Sequence, residues 1–142
     1  MSHVCKNLLI RCMDFRLNNE LNKWIEKSGI FAGGCDVISL AGASKSLADG
    51  GEEIKNNFLG HIAVSAELHK AEKIIICHHS ECGAYAKNYR FCSPAEEKEK
   101  QIEDMKKSQS AILVKYPNIK IVLIWANLKD SHGEKIDFET IE

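Results

Sequence analysis

Residues 76–83 read ICHHSECG, which sets two cysteines and two histidines within six positions behind an apolar run. Thiolate and imidazole donors at this density suit zinc. Residues three apart where a strand gives way to a turn can aim at one point, so His79 and Cys82 form the favoured pair. Cys77 and His78 compete for the role. Neighbouring side chains of an extended strand point to opposite faces, which sends Cys77 toward a packed helix and His78 away from His79. Two ligands do not complete a tetrahedral shell. Cys12, at the end of another apolar run, is the candidate third. A Cys2His set leaves one position open, the mark of a catalytic rather than a structural zinc site. Cys5, Cys35, Cys77 and Cys92 read as small buried hydrophobes.

The segment CMDFR (12–16) adds a possible acid–base partner. Asp14 lies two residues from Cys12 and two from Arg16, and in an extended segment the three share a side. Asp14 can then accept a hydrogen bond from a water in the open position. Arg16 would keep Asp14 ionised and turned away from direct ligation. The same spacing also describes an ordinary surface ion pair worth little, and spacing alone favours that reading.

These residues need a scaffold that brings distant segments together. NLLIRC (7–12) reads as a buried strand, and Leu17, Leu21, Trp24 and Ile25 fall on one helical face that Gly29 can terminate. DVISLAG (36–42) is a second strand, and SKSLADGG (44–51) reads as a loop. Ile54, Phe58, Ile62 and Ala66 repeat at helical spacing. KIIIC (73–77) is a strand buried on both faces. Ser93-Pro94-Ala95-Glu96 opens a long helix with a cap, a first-turn proline and a capping box. Ile102, Met105, Ile112, Leu113 and Tyr116 mark its buried face, and the mixed charges of 96–107 read as its solvated side. IKIVLIWA (119–126) is a fourth strand, and the tail 134–142 an edge strand. This alternation predicts an α/β fold, a mostly parallel central sheet flanked by helices, as a single domain over 1–142. Ligands of such sheets gather beyond the carboxyl ends of the strands, where Cys12 and His79 both fall.

Composition narrows the classes further. With 19 Lys+Arg against 20 Asp+Glu the net charge is −1, too little field to argue for nucleic acid or an anionic membrane as partner. The N-terminal stretch does not read as a signal peptide and no apolar run is long enough to span a bilayer, so a cytoplasmic protein is expected, with its six cysteines as thiols or ligands.

CMDFR resembles the Cys-x-Asp-x-Arg motif of the β-carbonic anhydrases, and HSECG resembles their His-x-x-Cys-Gly motif. DVISLAGAS, SAELHKAEKIIICHHSECGAY and YPNIKIVLIWANLKDSHGEKIDF are similar to further segments of that family, so the resemblance covers most of the chain. It implies one Zn2+ per chain held by Cys12, His79 and Cys82, with Asp14 and Arg16 as the dyad beside the fourth position. It implies a backbone N–H from Gly42 to the substrate, and reversible hydration of CO2 to bicarbonate. It also implies a homodimer or a multiple of dimers.

The chain departs from the family pattern in three segments. Phe15 stands where a small residue is usual, Ser39-Leu40 where Arg-Asn is usual, and His78 where Gly is usual. Two other readings stand beside CO2 hydration, the first prompted by Phe15 and Ser39-Leu40. One is a zinc hydrolase of the same fold acting on CS2 or COS. The other is a non-catalytic zinc protein whose fourth position is closed by Asp14, Cys35 or Cys77.

Overall fold

The computed structural model describes residues 3–142. Five strands build one sheet: β1 (Asn7–Cys12), β2 (Cys35–Leu40), β3 (Lys73–His79), β4 (Lys120–Leu128) and β5 (Ile136–Ile141). Their spatial order is β2-β1-β3-β4-β5. The first four run parallel, and β5 pairs antiparallel with β4. The helices are α1 (Asn18–Ser28), α2 (Lys45–Asp49), α3 (Glu52–Ala63), α4 (Gly83–Ala86) and α5 (Pro94–Lys115). Right-handed crossovers place α1 on one face of the sheet and α2, α3 and α5 on the other, where α2 packs against both α3 and α5. This is the expected α/β architecture.

β1 and β3 are central and buried on both faces. Leu8, Leu9, Ile10, Ile74, Ile75 and Ile76 are all at most 1% exposed, which explains their unbroken apolar runs. Leu21 and Ile25 of α1 and Phe58 and Ile62 of α3 close the two sides. Trp24 stacks on Phe138 of β5, with ring centroids 5.2 Å apart. Gly29 ends α1 in the left-handed conformation at φ 74.

Three expectations are corrected. The segment read as a loop contains α2, a short helix held by its packing on α5. β3 runs on through His79 rather than stopping at Cys77. On α5, Glu97, Gln101 and Asp104 are buried, so the charged run 96–107 is not wholly a solvated side. The start of α5 is as expected: Ser93 Oγ accepts the Glu96 N–H, although the Glu96 carboxylate takes the N–H of Cys92 rather than that of Ser93. Among the described residues, no helix is long and apolar enough to cross a membrane.

Candidate metal centre

β1 and β3 are hydrogen-bonded neighbours, with Arg11 opposite Cys77. Their carboxyl ends therefore lie side by side, which brings Cys12 next to the turn that follows β3. The ligand atoms of Cys12, His79 and Cys82 all lie within 4.8 Å of one another, and all three residues are buried. Among the described residues this is the one such group of three or more donors. The Cys12 and Cys82 sulfurs are 4.0 Å apart. Both sulfurs and one imidazole thus converge.

His79 has the tautomer a metal requires. Its Nδ1–H donates to the Ser80 carbonyl at 2.7 Å, which leaves Nε2 as the lone-pair atom. That Nε2 is fully buried and has no hydrogen-bond partner. An orphaned buried nitrogen is costly, and a soft cation shared with two sulfurs would satisfy it. The donor set fits Zn2+.

The two sulfurs are within thiol hydrogen-bond distance of one another, and either can donate. Hydrogen bonding with Cys82 pulls the Cys12 pKa well below the ordinary thiol range; burial opposes this, and His79 and the Gly42 N–H add to the lowering. Cys82 is pushed up by the same hydrogen bond, with burial adding to it. Gly42 N–H lies 3.4 Å from Cys12 Sγ, so its donor is directed at the sulfur.

Beside this group sits the ion pair. Arg16 Nη2 is 2.7 Å from Asp14 Oδ2, its Nε also reaches both carboxylate oxygens, and the Arg16 backbone N–H donates to Oδ1. Hydrogen bonding to Arg16 holds Asp14 below the usual carboxylate range, against a smaller opposing effect of burial. Asp14 Oδ2 is 3.7 Å from His79 Nε2, so the carboxylate borders the ligand cluster. Arg16 Nη2 also donates to the Glu81 carbonyl at 3.0 Å, tying β1's exit to the His79–Cys82 turn.

The loop from β4 to β5 closes the far side. The Asp130 carboxylate collects the N–H groups of His132, Gly133, Glu134 and Lys135 at 2.6–3.1 Å. Gly133 sits at φ 79, and a Cβ there would collide with the Arg16 carbonyl oxygen. A groove of about 580 Å3 leads to the dyad, lined by Met13, Asp14, Phe15, Arg16, Glu81, Gly83 and Ser131. Phe15 is 71% exposed on its rim and does not fill the site.

His78 points away from His79, as alternation requires. Burial drops its pKa to about 4 and keeps the ring neutral. Its Nδ1 donates to Gln101 Oε1 at 3.0 Å, and its Nε2 accepts from Ser44 Oγ at 2.8 Å. Cys77 is fully buried, and its thiol is pushed up to about 12 by that burial. Cys5 and Cys35 are half-buried and Cys92 is exposed, which corrects the reading of these three as buried hydrophobes.

Sequence reasoning missed the polar residues that α5 buries. Glu97, Gln101, Asp104 and Ser108 recur at i, i+4, i+7 and i+11 and are all at most 8% exposed. That helical period was the available signal.

A family model described as "Putative carbonic anhydrase" matches residues 2–137. The chain belongs to that family. An uncharacterized protein of Rickettsia bellii is 34% identical over 122 residues, covering 80% of this chain and 71% of that protein. Among solved structures, the β-carbonic anhydrase isoform I of Trichomonas vaginalis is similar at TM-score 0.61 and 16% identity, over 98% of this chain and 83% of that one. The tetrameric β-carbonic anhydrases of Sordaria macrospora are similar at TM-score 0.53 and 15% identity, over 99% and 84%. These likenesses establish the fold: a divergent carbonic anhydrase family member on the β-carbonic anhydrase scaffold.

Proposed function

We propose that the chain is a zinc-dependent, carbonic anhydrase-like enzyme that hydrates CO2 reversibly to bicarbonate. The observation that carries this reading is the buried, unpartnered Nε2 of His79, set with two sulfurs and bordered by an ionised carboxylate. Cys12, His79 and Cys82 would hold one Zn2+. When bound, zinc supplies a Lewis acid that activates water and stabilises charge developing on oxygen.

The remaining work falls to this chain's own groups. Arg16 occupies both oxygens of Asp14, so the carboxylate stays ionised and is held by its partner rather than drawn fully onto the cluster. Asp14 can accept a proton-bearing group at the mouth of the site and orient it. The groove admits a small substrate from the side of Met13, Phe15 and Ser131. Gly42 borders the site, and a substrate oxygen placed there would share its N–H with Cys12.

The groove is lined by the charged Asp14, Arg16 and Glu81 together with the apolar Met13 and Phe15, a lining open to CS2 or COS as well as to CO2. A site closed by Asp14 would need that carboxylate to leave Arg16, and Cys35 and Cys77 do not join the Cys12–His79–Cys82 group that a closing thiol would have to complete. The family resemblance also points to a homodimer or a multiple of dimers, and the near-neutral net charge argues against a nucleic acid or anionic membrane partner.

Stopped-flow CO2 hydration tests the reading. Zinc-loaded protein should accelerate the reaction well beyond zinc-free protein and beyond a Cys82→Ser variant. Equal rates for all three would overturn it. X-ray absorption on the zinc-loaded protein should show two sulfurs, one imidazole nitrogen and one light oxygen donor.

A further inference from the structure

The turn that supplies two of the three candidate ligands does not hold its own shape. Glu81, between His79 and Cys82, has φ 54, a left-handed conformation that a side-chain-bearing residue rarely adopts. Its N–H and the next one both point out of the turn toward α5. One carboxylate receives them: Glu97 Oε1 accepts from Glu81 N–H at 2.8 Å, and Oε2 from Cys82 N–H at 3.1 Å.

Glu97 is itself held. Gln101, one turn further along α5, donates from Nε2 to Glu97 Oε2 at 3.1 Å and to the His79 carbonyl at 2.9 Å. Its Oε1 takes the Nδ1–H of His78. Every polar atom of Gln101 is used, and the residue is 0% exposed. His78 carries the connection to Ser44, whose Oγ accepts from Ser108 of α5. Ser44 lies two residues beyond Gly42, whose N–H donates to Cys12 Sγ. The backbone of the His79–Cys82 turn is therefore tied directly to one polar stripe on α5, and Cys12 connects to the same stripe through its sulfur, Gly42 and Ser44.

We propose that Glu97 and Gln101 are positioning residues that clamp the His79–Cys82 turn in its ligating shape. This rests on the zinc reading above. Neither residue contacts the ligand atoms; both act on the backbone that carries them. Outer partners of this kind typically alter metal affinity by about 10–100-fold when removed.

Zinc affinity, measured by competition with a chromophoric chelator, tests this on the wild type, Glu97→Ala and Glu97→Gln, together with the Co2+-loaded absorption spectrum. Glu97→Ala should bind zinc about 10–100-fold more weakly and shift the sulfur-to-cobalt bands. Glu97→Gln keeps the shape but turns an NH2 toward an N–H, so its loss should be smaller and in the same direction. Asp104→Asn, on the same stripe but bonded to Tyr85 and Lys100, should leave both readouts unchanged. Wild-type affinity and an unaltered Co2+ spectrum in Glu97→Gln and Glu97→Ala would overturn the clamp. If Glu97→Ala does not fold, the Glu97→Gln result decides alone. A wild type that takes up no zinc would overturn the zinc reading itself and, with it, the clamp.

Discussion

Helices α1 and α5 cover opposite faces of the same sheet with different chemistry. α1 buries Leu21 and Ile25, and Trp24 lies against Phe138. α5 buries Met105 and Ile112, but also Glu97, Gln101, Asp104 and Ser108. Apolar contact is non-directional, so α1 can settle by small rotations and shifts without leaving any atom unsatisfied. α5 has no such latitude. Each buried polar atom must meet one partner at hydrogen-bond distance, and a slip of the helix would break several at once. The sheet thus has one face that supplies cohesion and one that also fixes the register of the metal turn.

The largest expected effect on the cohesive side comes from Ile25→Ala. It should cost about 2–5 kcal/mol in urea unfolding, while the zinc affinity of the folded fraction stays as in the wild type. A change in that affinity would break the distinction between the faces. Next is Gln101→Leu, which keeps the volume but strands the His79 carbonyl and His78 Nδ1. Each buried group left unpaired costs about 1–3 kcal/mol, partly offset by the apolar gain, and here zinc affinity should fall as well. Ser93→Ala removes only the cap of α5. It should cost about 1 kcal/mol, read as a small drop in Tm, with zinc uptake unchanged.

The smallest effect is in the acid limb. Asp14 has a folded-state pKa below its unfolded value of about 3.9. Its contribution to stability is therefore present above pH about 4 and is lost as pH falls through the folded pKa. Arg16→Gln should raise the Asp14 pKa and flatten that part of the stability–pH curve in zinc-free protein. Identical acid limbs would show that the pair adds nothing to folding.

The sequence made some of this readable and concealed the rest for physical reasons. β1 matches its expected span residue for residue, because an apolar run bounded by polar residues ends where burial ends. β3 extends two residues past its expected span, because the apolar run that marks it stops at Cys77 while the strand does not. His78 and His79 are buried, one in the α5 network and one in the ligand cluster. The meeting of Cys12 with His79 and Cys82 was accessible only through strand order, since parallel neighbours share their carboxyl ends. α2 was hidden because its packing on α5, not its local composition, supports it. The charges of 96–107 misled because a run of Glu and Lys usually faces water. Composition does not show that Glu97 meets two backbone donors, though the i, i+4, i+7, i+11 spacing offered a hint.

The loop at Asp130–Lys135 bears on how this groove can diversify. Exposed loops ordinarily drift in sequence with little penalty. Here Asp130 gathers four amides and Gly133 lies against the carbonyl of Arg16, so neither can change without disturbing the dyad's support. Ser131 and His132 are exposed and carry no such duty. Ser131 also lines the groove. Natural variation in what enters the site is therefore expected to accumulate at position 131 on a framework that stays fixed on either side of it.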